Sequence, residues 1–237
     1  MIEDLVILAG GKATRLYPIT QDIAKAMVDV CGEPFIAHQL KLLKRQGIKR
    51  VVICAGYLGQ QIKDFVGQGE KFSLKVEFSF DGEKLLGTGG AIKKALPLLK
   101  DIFFVLYGDS YLDADFKIVG ESFLQLKKSG LMTVFKNSNQ WDKSNIVYCD
   151  NRIIKYDKPE STPKMEYIDY GLSVLSKKAF ANFDKTEFDL SDFYKMLIEK
   201  GDLSGYEIKE RFYEIGSLGG LEETKAYIMN NKKKENQ

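Results

Sequence analysis

The segment that most constrains the fold of this chain is a short apolar run that ends in two glycines near the N-terminus. Leu5–Leu8 precedes Gly10 and Gly11, and Arg15 follows them. A buried strand that opens into glycines lets the backbone approach a bulky anion, and its exposed amide groups can donate to that anion. Arg15 adds a fixed fork of donors, and Lys25 supplies a second cation from the same segment. The pattern predicts a nucleoside triphosphate site at the end of the first strand.

Strand-like and helix-like runs alternate along the rest of the chain. The predicted strands are Leu5–Leu8, Val51–Cys54, Leu74–Phe80, Phe103–Tyr107, Leu131–Phe135, Ile146–Tyr148, Arg152–Tyr156 and Gly171–Leu175. The predicted helices are Pro34–Gln46, Gly59–Val66, Gly90–Leu98, Asp115–Ser129, Asp189–Glu199 and Leu218–Met229. This alternation predicts an α/β fold with a mostly parallel central sheet, covered by helices on both faces. The closely spaced strands around 131–156 predict an antiparallel addition to that sheet.

Length and composition bound the class of protein. The 237 residues fit one compact domain over 1–230, followed by a frayed polar tail over 231–237. A formal net charge of +2 gives no field that favours nucleic acid or a membrane surface. We find no apolar run long enough to span a bilayer and no signal peptide. Three scattered cysteines predict reduced thiols, and together these features predict a cytoplasmic protein.

Two further segments follow predicted strands and carry chemistry. Leu86–Ala91 is rich in glycine and opens a helix, which would let a base and ribose lie against the backbone; an ordinary glycine turn is the structural alternative. Phe103–Tyr107 runs into Gly108 and Asp109. A carboxylate at the mouth of a buried strand needs a partner, and Mg²⁺ is the natural one beside a triphosphate. The alternative for Asp109 is a simple turn cap.

Other known nucleotide motifs do not fit the chain. The first loop lacks the dinucleotide pattern G-x-G-x-x-G, and Thr88 stands where a Walker loop needs lysine. His38, the single histidine, lies in a helical stretch among apolar residues and is interpreted as a packing or surface residue. The triplet from Asp113 to Asp115 is a D-x-D pattern, which leaves a glycosyltransferase open. An acidic helix N-terminus explains that triplet equally well.

The combined motifs resemble the sugar-1-phosphate nucleotidyltransferases, also called nucleotide-sugar pyrophosphorylases. Their opening signature, L-x-G-G-x-G-T-R-L-x-P-L-T, matches Leu8–Thr20, with alanine at position 13 in place of glycine. Their P-K-P-M, L-G-T-x-G-A, G-D and E-K-P motifs match Ala24–Met27, Leu86–Ala91, Gly108-Asp109 and Asp157–Pro159. The match covers nearly the whole chain. It is closest to short enzymes that act on heptose, mannose or N-acetylmuramate 1-phosphates and lack a β-helix domain.

The resemblance implies a three-layer Rossmann-like nucleotidyltransferase fold with an NTP-binding half over about 1–115 and an acceptor-binding half over about 116–230. It implies catalytic roles for Arg15, Lys25 and Lys158. Nucleotide contacts are expected from Leu8, Ala9, Gly10, Gly11, Glu83, Gly87, Thr88, Gly90 and Asp109. Acceptor contacts are expected from Asp157, Asp169 and Gly171, and metal ligation of Mg²⁺ from Asp109 and Glu214.

The implied reaction joins an NTP and a sugar 1-phosphate into an NDP-sugar with release of pyrophosphate, for surface polysaccharide precursors. The nucleobase is left open among guanine, uracil and cytosine, with guanine favoured by analogy. Alternatives are cytidylyl or uridylyl transfer to a non-sugar phosphorylated metabolite, a glycosyltransferase, and a non-catalytic nucleotide-sugar sensor. The expected partners are the NTP and the phosphorylated acceptor, and a homo-oligomer is possible in this family.

Overall fold

The computed structural model describes residues 1–181 and 183–235, with side chains described as far as residue 231. Its strands are β1 Asp4–Ala9, β2 Asp29–Val30, β3 Glu33–Pro34, β4 Arg50–Ala55, β5 Lys75–Phe80, β6 Ile102–Tyr107, β7 Ser110–Tyr111, β8 Gly130–Lys136, β9 Ile146–Cys149, β10 Arg152–Tyr156, β11 Tyr167–Ser176, β12 Leu203–Ile208 and β13 Tyr213–Glu214. Its α-helices are α1 Phe35–Arg45, α2 Gly59–Val66, α3 Gly87–Ala95, α4 Phe116–Leu124, α5 Leu190–Glu199 and α6 Leu218–Glu235.

A nine-stranded sheet forms the middle layer, in the order β5-β4-β1-β6-β11-β8-β12-β10-β9. The strands β5, β4, β1 and β6 are parallel, as βαβ crossovers require. Leu5 and Ile7 of β1 pack into one core cluster together with Leu40 of α1. Val6 points to the opposite face, where it packs in a second cluster with Ile92 of α3. Apolar side chains therefore project from both faces of the sheet, and helices cover both faces.

The predicted antiparallel addition is present, but antiparallel pairing extends to β11, so the sheet is mixed and not mostly parallel. β11 runs antiparallel to both β6 and β8, whereas β12 is parallel to β8. A tight turn at Asp150 and Asn151, both with positive φ, joins β9 to β10 and forces them to be antiparallel. β9 also pairs with β11 through Ile146 and Tyr167, so the strands of the second half close on themselves.

Most predicted elements are present, with shifted ends. The short pairs β2–β3 and β7–β13, and the strand β12, have no counterpart in the prediction. α3 begins at Gly87, before the predicted start at Gly90. Leu96–Leu98, predicted as the end of this helix, form a 3₁₀ turn. α6 continues to Glu235, beyond the predicted end at Met229, so part of the predicted frayed tail is helical; residues 236–237 lie outside the described residues. Among the described helices, none has the length and apolar character that crossing a bilayer demands.

Candidate active site

The glycine loop leaves the end of β1 and passes closely over the loop that follows β4. A Cβ added to Gly10 would lie 3.3 Å from the amide nitrogen of Gly56, and the Tyr57 amide donates to the Gly10 carbonyl at 3.1 Å. A Cβ added to Gly11 would meet no atom within 4 Å. A Cβ at Gly10 would thus be tightly packed, whereas Gly11 faces open space in which a phosphate oxygen can approach its backbone.

Alanine occupies a left-handed backbone position in this loop. Ala13, which stands where the family signature has glycine, has φ +53° and ψ +42°. Its carbonyl accepts a bond from the Thr20 hydroxyl at 2.8 Å and another from the Leu16 amide at 3.0 Å. These bonds, and the buried Leu16 side chain, hold the 3₁₀ turn that carries the exposed Arg15. The loop therefore tolerates the Cβ at the expense of some backbone strain.

Lys25 and Asp109 form an ion pair between the 3₁₀ turn Lys25–Met27 and the residues that follow β6. The Lys25 Nζ lies 2.9 Å from Asp109 Oδ2. The preceding residue, Gly108, packs so tightly that a Cβ would lie 2.4 Å from the Leu8 carbonyl oxygen. Burial opposes ionisation of Asp109, but the charges of Lys25 and Lys158 outweigh burial and hold its pKa below the usual value. Asp109 is therefore a carboxylate with two lysines acting on it.

Glu214 approaches the same carboxylate from a distant part of the sequence. Its strand β13 pairs with β7 through Ser110, and the Ile215 amide donates to the Asp109 carbonyl at 2.9 Å. Burial raises the pKa of Glu214, and repulsion from Asp109 raises it further. Bonds from the Gly216 amide and the Ser217 hydroxyl, together with the Arg15 charge, act in the opposite direction. The carboxylates of Asp109 and Glu214 thus lie near each other, with Lys25 and Arg15 as the neighbouring cations.

Helix α3 presents Gly87 and Thr88 to the cavity and packs its other glycines against the second half. Gly87 has φ +74°, and a Cβ there would lie 2.5 Å from the Phe188 carbonyl oxygen. The Thr88 hydroxyl accepts a bond from the Leu190 amide at 2.8 Å, which joins the N-termini of α3 and α5. A Cβ on Gly90 would lie 2.4 Å from the Thr186 carbonyl oxygen, so this glycine serves packing between elements.

These elements enclose a cavity of about 290 Å³ beyond the carboxyl ends of the parallel strands. Ligands in open α/β sheets bind at this position. The lining residues are Leu8, Ala9, Gly10, Gly11, Lys25, Ala26, Cys54, Asp81, Leu85, Gly87, Thr88, Ala91, Tyr107, Gly108, Asp109 and Asp189.

A second polar cluster lies beside the cavity and is built around Asp169. Its Oδ2 accepts bonds from the phenols of Tyr107 at 3.0 Å and Tyr156 at 3.1 Å. Its Oδ1 accepts the Gly171 amide at 3.0 Å. Lys158 Nζ lies 3.7 Å from Asp169 Oδ2 and donates to the Tyr107 hydroxyl at 3.3 Å. Burial, and then the Asp169 charge, raise the pKa of Tyr107, which keeps the phenol neutral and able to donate.

The structure brings together most of the residues predicted for the site. Lys25, Asp109 and the glycine loop share the cavity, and Tyr107 joins them to the Asp169 cluster. Gly171 has φ +98° and would place a Cβ 3.0 Å from the Ser110 hydroxyl. Asp157, predicted to contact the acceptor, accepts the Glu160 amide at 3.2 Å and lies 3.6 Å from Lys195 Nζ. Glu83, predicted to contact the nucleotide, is exposed and is not among the residues that line the cavity.

The sequence interpretation missed several side chains that line the cavity, among them the polar residues Asp81, Tyr107 and Asp189. Asp81 follows β5 directly, and Tyr107 is the last residue of β6. The strand-end argument that singled out Asp109 applies equally to Asp81, because the carboxyl ends of parallel strands meet at one side of the sheet. For Tyr107, an aromatic at a buried strand end is interpreted as core from sequence alone, and only the structure shows its hydroxyl in a polar cluster.

Neither the D-x-D triplet nor the histidine faces the cavity. Asp115 caps α4 by accepting the Ile118 amide at 3.1 Å, and Asp113 accepts the Tyr227 hydroxyl at 2.7 Å. The His38 Nε2 lies 2.6 Å from the Val30 carbonyl oxygen, which ties α1 to the β2–β3 hairpin. Asp115 is thus a helix N-cap, as the alternative to a D-x-D motif predicts, and the buried His38 is a packing residue.

Comparisons with known proteins identify the family of this chain. A family model described as nucleotidyl transferase matches residues 5–231. The D-glycero-α-D-manno-heptose 1-phosphate guanylyltransferase of Campylobacter jejuni is 32% identical over 213 residues, which cover 89% of this chain and 93% of that protein. The bifunctional protein GlmU of Methanococcus maripaludis is 30% identical over 223 residues, and the match covers 90% of this chain but 51% of GlmU.

The crystal structure of HddC from Yersinia pseudotuberculosis superposes with a TM-score of 0.84 at 28% identity and covers 96% of this chain and 100% of that one. Its complex with GMP-PN superposes with a TM-score of 0.80 at 27% identity, with the same coverage. The α/β fold is that of a nucleotidyltransferase. The chain belongs to the nucleotidyl transferase family, and resembles its short members that have no β-helix domain.

Proposed function

We propose that this protein transfers a nucleotidyl group from a nucleoside triphosphate to a sugar 1-phosphate, with release of pyrophosphate. The observation that carries the proposal is the convergence of charged groups on Asp109. Lys25 bonds to this carboxylate at 2.9 Å, Lys158 lowers its pKa through space, and Glu214 is repelled by it. Such a set of charges, at the mouth of a glycine-lined cavity, suits two phosphate groups that have to approach each other.

The reaction needs alignment more than it needs a proton acceptor. A phosphate oxygen of the acceptor attacks the α-phosphorus in line, and the bond from that phosphorus to the pyrophosphate oxygen breaks. A phosphate monoester is largely ionised at neutral pH, since its second pKa is about 6. The attacking oxygen therefore requires no general base. The work of catalysis falls on cations that hold both phosphates in line and stabilise the charge that develops.

The two clusters divide this work. Arg15, Lys25 and the Gly11 backbone would hold the triphosphate, and Lys158 would receive the phosphate of the acceptor. The Asp169 carboxylate already accepts three hydrogen bonds, from the Tyr107 and Tyr156 hydroxyls and the Gly171 amide. We therefore assign it to positioning Lys158, although the sequence resemblance implies direct contact with the sugar.

Asp109 and Glu214 suit the magnesium ion that the family uses. Both offer hard carboxylate oxygens, and Mg²⁺ in phosphate sites takes one or two carboxylates together with substrate phosphates. Burial, and then repulsion from Asp109, raise the pKa of Glu214, and a bound cation would offset both effects. These two residues would hold the ion, which when bound neutralises charge on the phosphates. No group of three or more His, Cys, Asp or Glu side chains that could hold a metal occurs in residues 1–181 and 183–231, whose side chains are described.

Further aspects of the function rest on analogy. The relative from Campylobacter jejuni is named a guanylyltransferase that acts on a heptose 1-phosphate, which supports GTP as donor and a sugar 1-phosphate as acceptor. Cytidylyl or uridylyl transfer to a different phosphorylated metabolite is the alternative. A role in surface polysaccharide precursors stays a prediction from the resemblance, and a cytoplasmic location stays a prediction from the composition.

The experiment that tests the proposal measures pyrophosphate release with four NTPs against a panel of sugar 1-phosphates in the presence of Mg²⁺. We expect turnover with at least one pair, and a loss of at least about 100-fold in Lys25→Ala and in Asp109→Ala. Lys117→Ala, which removes an exposed lysine of α4, is the matched control and retains activity. Thermal melting of each variant verifies folding.

Two outcomes would contradict the proposal. Near-normal turnover of folded Lys25→Ala and Asp109→Ala would remove the convergence of charges from the mechanism. Release of free nucleoside diphosphate from a nucleotide sugar, in place of pyrophosphate from an NTP, would support the glycosyltransferase alternative.

A further inference from the structure

A buried glutamine of α1 holds the turn that carries Asp109. The Gln39 side chain is completely buried, and its Nε2 donates to the Tyr107 carbonyl at 3.1 Å and to the Ser110 carbonyl at 2.8 Å. These two carbonyls stand on either side of Gly108 and Asp109, the two residues between β6 and β7. One side chain therefore bridges the turn from which the Asp109 carboxylate projects.

The neighbours of the Gln39 amide fix its orientation. Both groups that face Nε2 are carbonyl oxygens, which only accept hydrogen bonds, so the opposite orientation would set Oε1 against two acceptors. In the observed orientation Oε1 is buried and meets no donor within residues 1–181 and 183–231. A buried acceptor without a donor opposes folding. The amide therefore contributes through the two bonds that it donates and not through ideal packing.

The sheet holds the rest of this turn but does not pair the carbonyl of Tyr107 with a neighbouring strand. Pairing of β6 with β11 ends at Leu106, one residue before Tyr107. The Gly108 amide donates to a carbonyl of β1 at 3.0 Å, and the Asp109 carbonyl accepts the amide that follows β13 at 2.9 Å. The turn is thus attached to β1, to β13 and, through Gln39, to α1.

The same helix also holds the turn that carries Lys25. α1 packs against the 3₁₀ turn Lys25–Met27, and the Phe35 amide donates at 2.9 Å to the carbonyl of Val28, the residue that ends this turn. Phe35 and Gln39 are four residues apart and lie on one face of the helix, about 5–6 Å apart at Cβ. α1 therefore attaches both turns within one helical turn, and the 2.9 Å ion pair forms between them.

We infer that Gln39 is a positioning residue, which fixes the Asp109 carboxylate opposite Lys25 by bridging the carbonyls on either side of its turn. The inference rests on the proposed function, in which Asp109 has to be aligned with the reacting phosphates. Gln39 is not among the residues that line the cavity, so it acts through Asp109 and touches no substrate. A displacement of about 1 Å in such a group costs on the order of 100-fold in rate.

The variant Gln39→Met removes both donors and keeps a side chain of similar length. We expect kcat for pyrophosphate release to fall on the order of 10- to 100-fold, while the KM for the NTP changes by less than about threefold, because the groups that hold the triphosphate are untouched. Gln46→Met, at the end of the same helix, removes the acceptor of the Phe116 amide at 3.2 Å and is the matched control that retains activity. Gln39→Asn, which keeps the amide donors on a shorter side chain, should lose less than Gln39→Met. Thermal melting verifies that each variant is folded.

Amide hydrogen exchange of the full-length protein, without nucleotide or Mg²⁺, tests the bridge independently of activity. Peptides that cover residues 107–111 should exchange on the order of 10-fold faster in Gln39→Met than in the unmodified protein, because the turn opens locally more often. Peptides that cover β4 should exchange at the same rate in both. Gln46→Met should leave the exchange of 107–111 unchanged. Equal exchange of 107–111 in Gln39→Met and the unmodified protein would overturn the inference.

Double variants separate action through Asp109 from a general effect on the structure. If Gln39 serves only to place the Asp109 carboxylate, Gln39→Met combined with Asp109→Ala should show the same residual kcat as Asp109→Ala alone. Gln39→Met combined with Arg15→Ala should show a loss close to the product of the two single losses. Losses that multiply in the combination with Asp109→Ala would show that Gln39 acts by another route and would overturn the inference.

The outcomes separate this inference from the proposed function. If the unmodified protein releases pyrophosphate and folded Gln39→Met has the same kcat, the positioning role is wrong and the transferase proposal stands. A loss of kcat in Gln46→Met equal to that in Gln39→Met also rejects the positioning role. If the unmodified protein turns over no pair of substrates, the proposed reaction is wrong, and faster exchange of 107–111 in Gln39→Met still supports Gln39 as the residue that fixes Asp109.

Discussion

At the scale of single residues, the site depends on backbone positions that accept or forbid a Cβ. Gly10 and Gly108 are fixed by backbone atoms that a Cβ would approach to 3.3 Å and 2.4 Å. Ala13 is the opposite case, since it keeps a Cβ at a left-handed position with φ +53°. That conformation costs an L-residue on the order of 1–2 kcal/mol. The loop that carries Arg15 therefore stores strain that a glycine would not.

We predict that Ala13→Gly stabilises the protein, although glycine usually destabilises. Relief of left-handed strain outweighs the extra chain entropy of glycine and leaves a net gain of about 0.5–1 kcal/mol in the free energy of unfolding. Ala226→Gly, in the exposed face of α6, is the matched control and should lose roughly 0.5–1 kcal/mol. Urea denaturation measures both. Equal losses in the two variants would show that Ala13 is unstrained.

Residue patterns in the sequence predict the nucleotide side of the site better than the acceptor side. Gly10, Lys25 and Asp109 lie within sequence motifs that are typical of phosphate binding. The fold brings these motifs together in one cavity. Asp169 and Tyr107 meet across β11 and β6, and nothing in either local sequence indicates the hydrogen bond between them. Long-range side-chain pairing of this kind depends on strand order, which local patterns do not encode.

At the scale of elements, the outermost strand of the parallel half is held by a cross-strand ion pair. Glu77 of β5 accepts the Arg50 Nε of β4 at 2.8 Å. Burial works against the charge of Glu77, but Arg50 outweighs burial, so the pKa of Glu77 lies below its usual value. A lowered pKa means that the folded state favours the ionised carboxylate. The stabilisation is therefore present above the usual pKa and is lost as pH falls through the lowered one.

We predict that Glu77→Gln lowers the free energy of unfolding by about 0.5–1 kcal/mol at neutral pH, a modest value because the pair is partly exposed to solvent. The difference from the unmodified protein should shrink in urea titrations as the pH is lowered step by step below the usual pKa of a glutamate, because the stabilisation is lost as the carboxylate becomes protonated. Glu121→Gln breaks the exposed pair with Lys117 in α4 and should change stability little at either pH. A pH-independent loss in Glu77→Gln would assign its effect to packing.

Elements with strong periodicity are recovered from the sequence, and those without it are missed. Gly59–Val66 and Arg152–Tyr156 are predicted with the bounds that the structure gives them. β12 is missed because Gly205 interrupts its pattern, yet a Cβ there would lie 2.5 Å from a ring carbon of Tyr148. The glycine that weakens the local signal is thus required by packing between strands. The two-residue strands carry no period to detect.

At the scale of the whole molecule, one sheet crosses both predicted halves. β11, from the acceptor-binding half, pairs with β6 of the NTP-binding half from Leu172–Leu106 to Ser176–Ile102. Leu172 and Leu106 lie in the same core cluster as Leu5. Removal of the second half would expose the apolar side of β6 and a row of unpaired backbone groups. The two halves are therefore expected to depend on each other for folding.

We predict a single cooperative unfolding transition for the full chain. Trp141 is the only tryptophan and lies in the acceptor-binding half, so its fluorescence reports that half while far-UV circular dichroism reports the whole. The two signals should follow the same curve in urea. The fragment 1–115, expressed alone, should lack a cooperative transition. Separate transitions, or a fragment that unfolds cooperatively, would define two independent domains.

The way the strands of the second half close on themselves has a consequence for self-association. Since β9 pairs with both β10 and β11, β5 is the terminal strand of the main sheet that remains unpaired on one side among the described residues. The Val76 amide donates to the Gln68 carbonyl at 2.9 Å, and Lys75 and Glu77 place charges along the same strand. Such features discourage intermolecular strand addition. We therefore expect two copies of this protein to associate through side-chain surfaces and not through addition of a strand at β5.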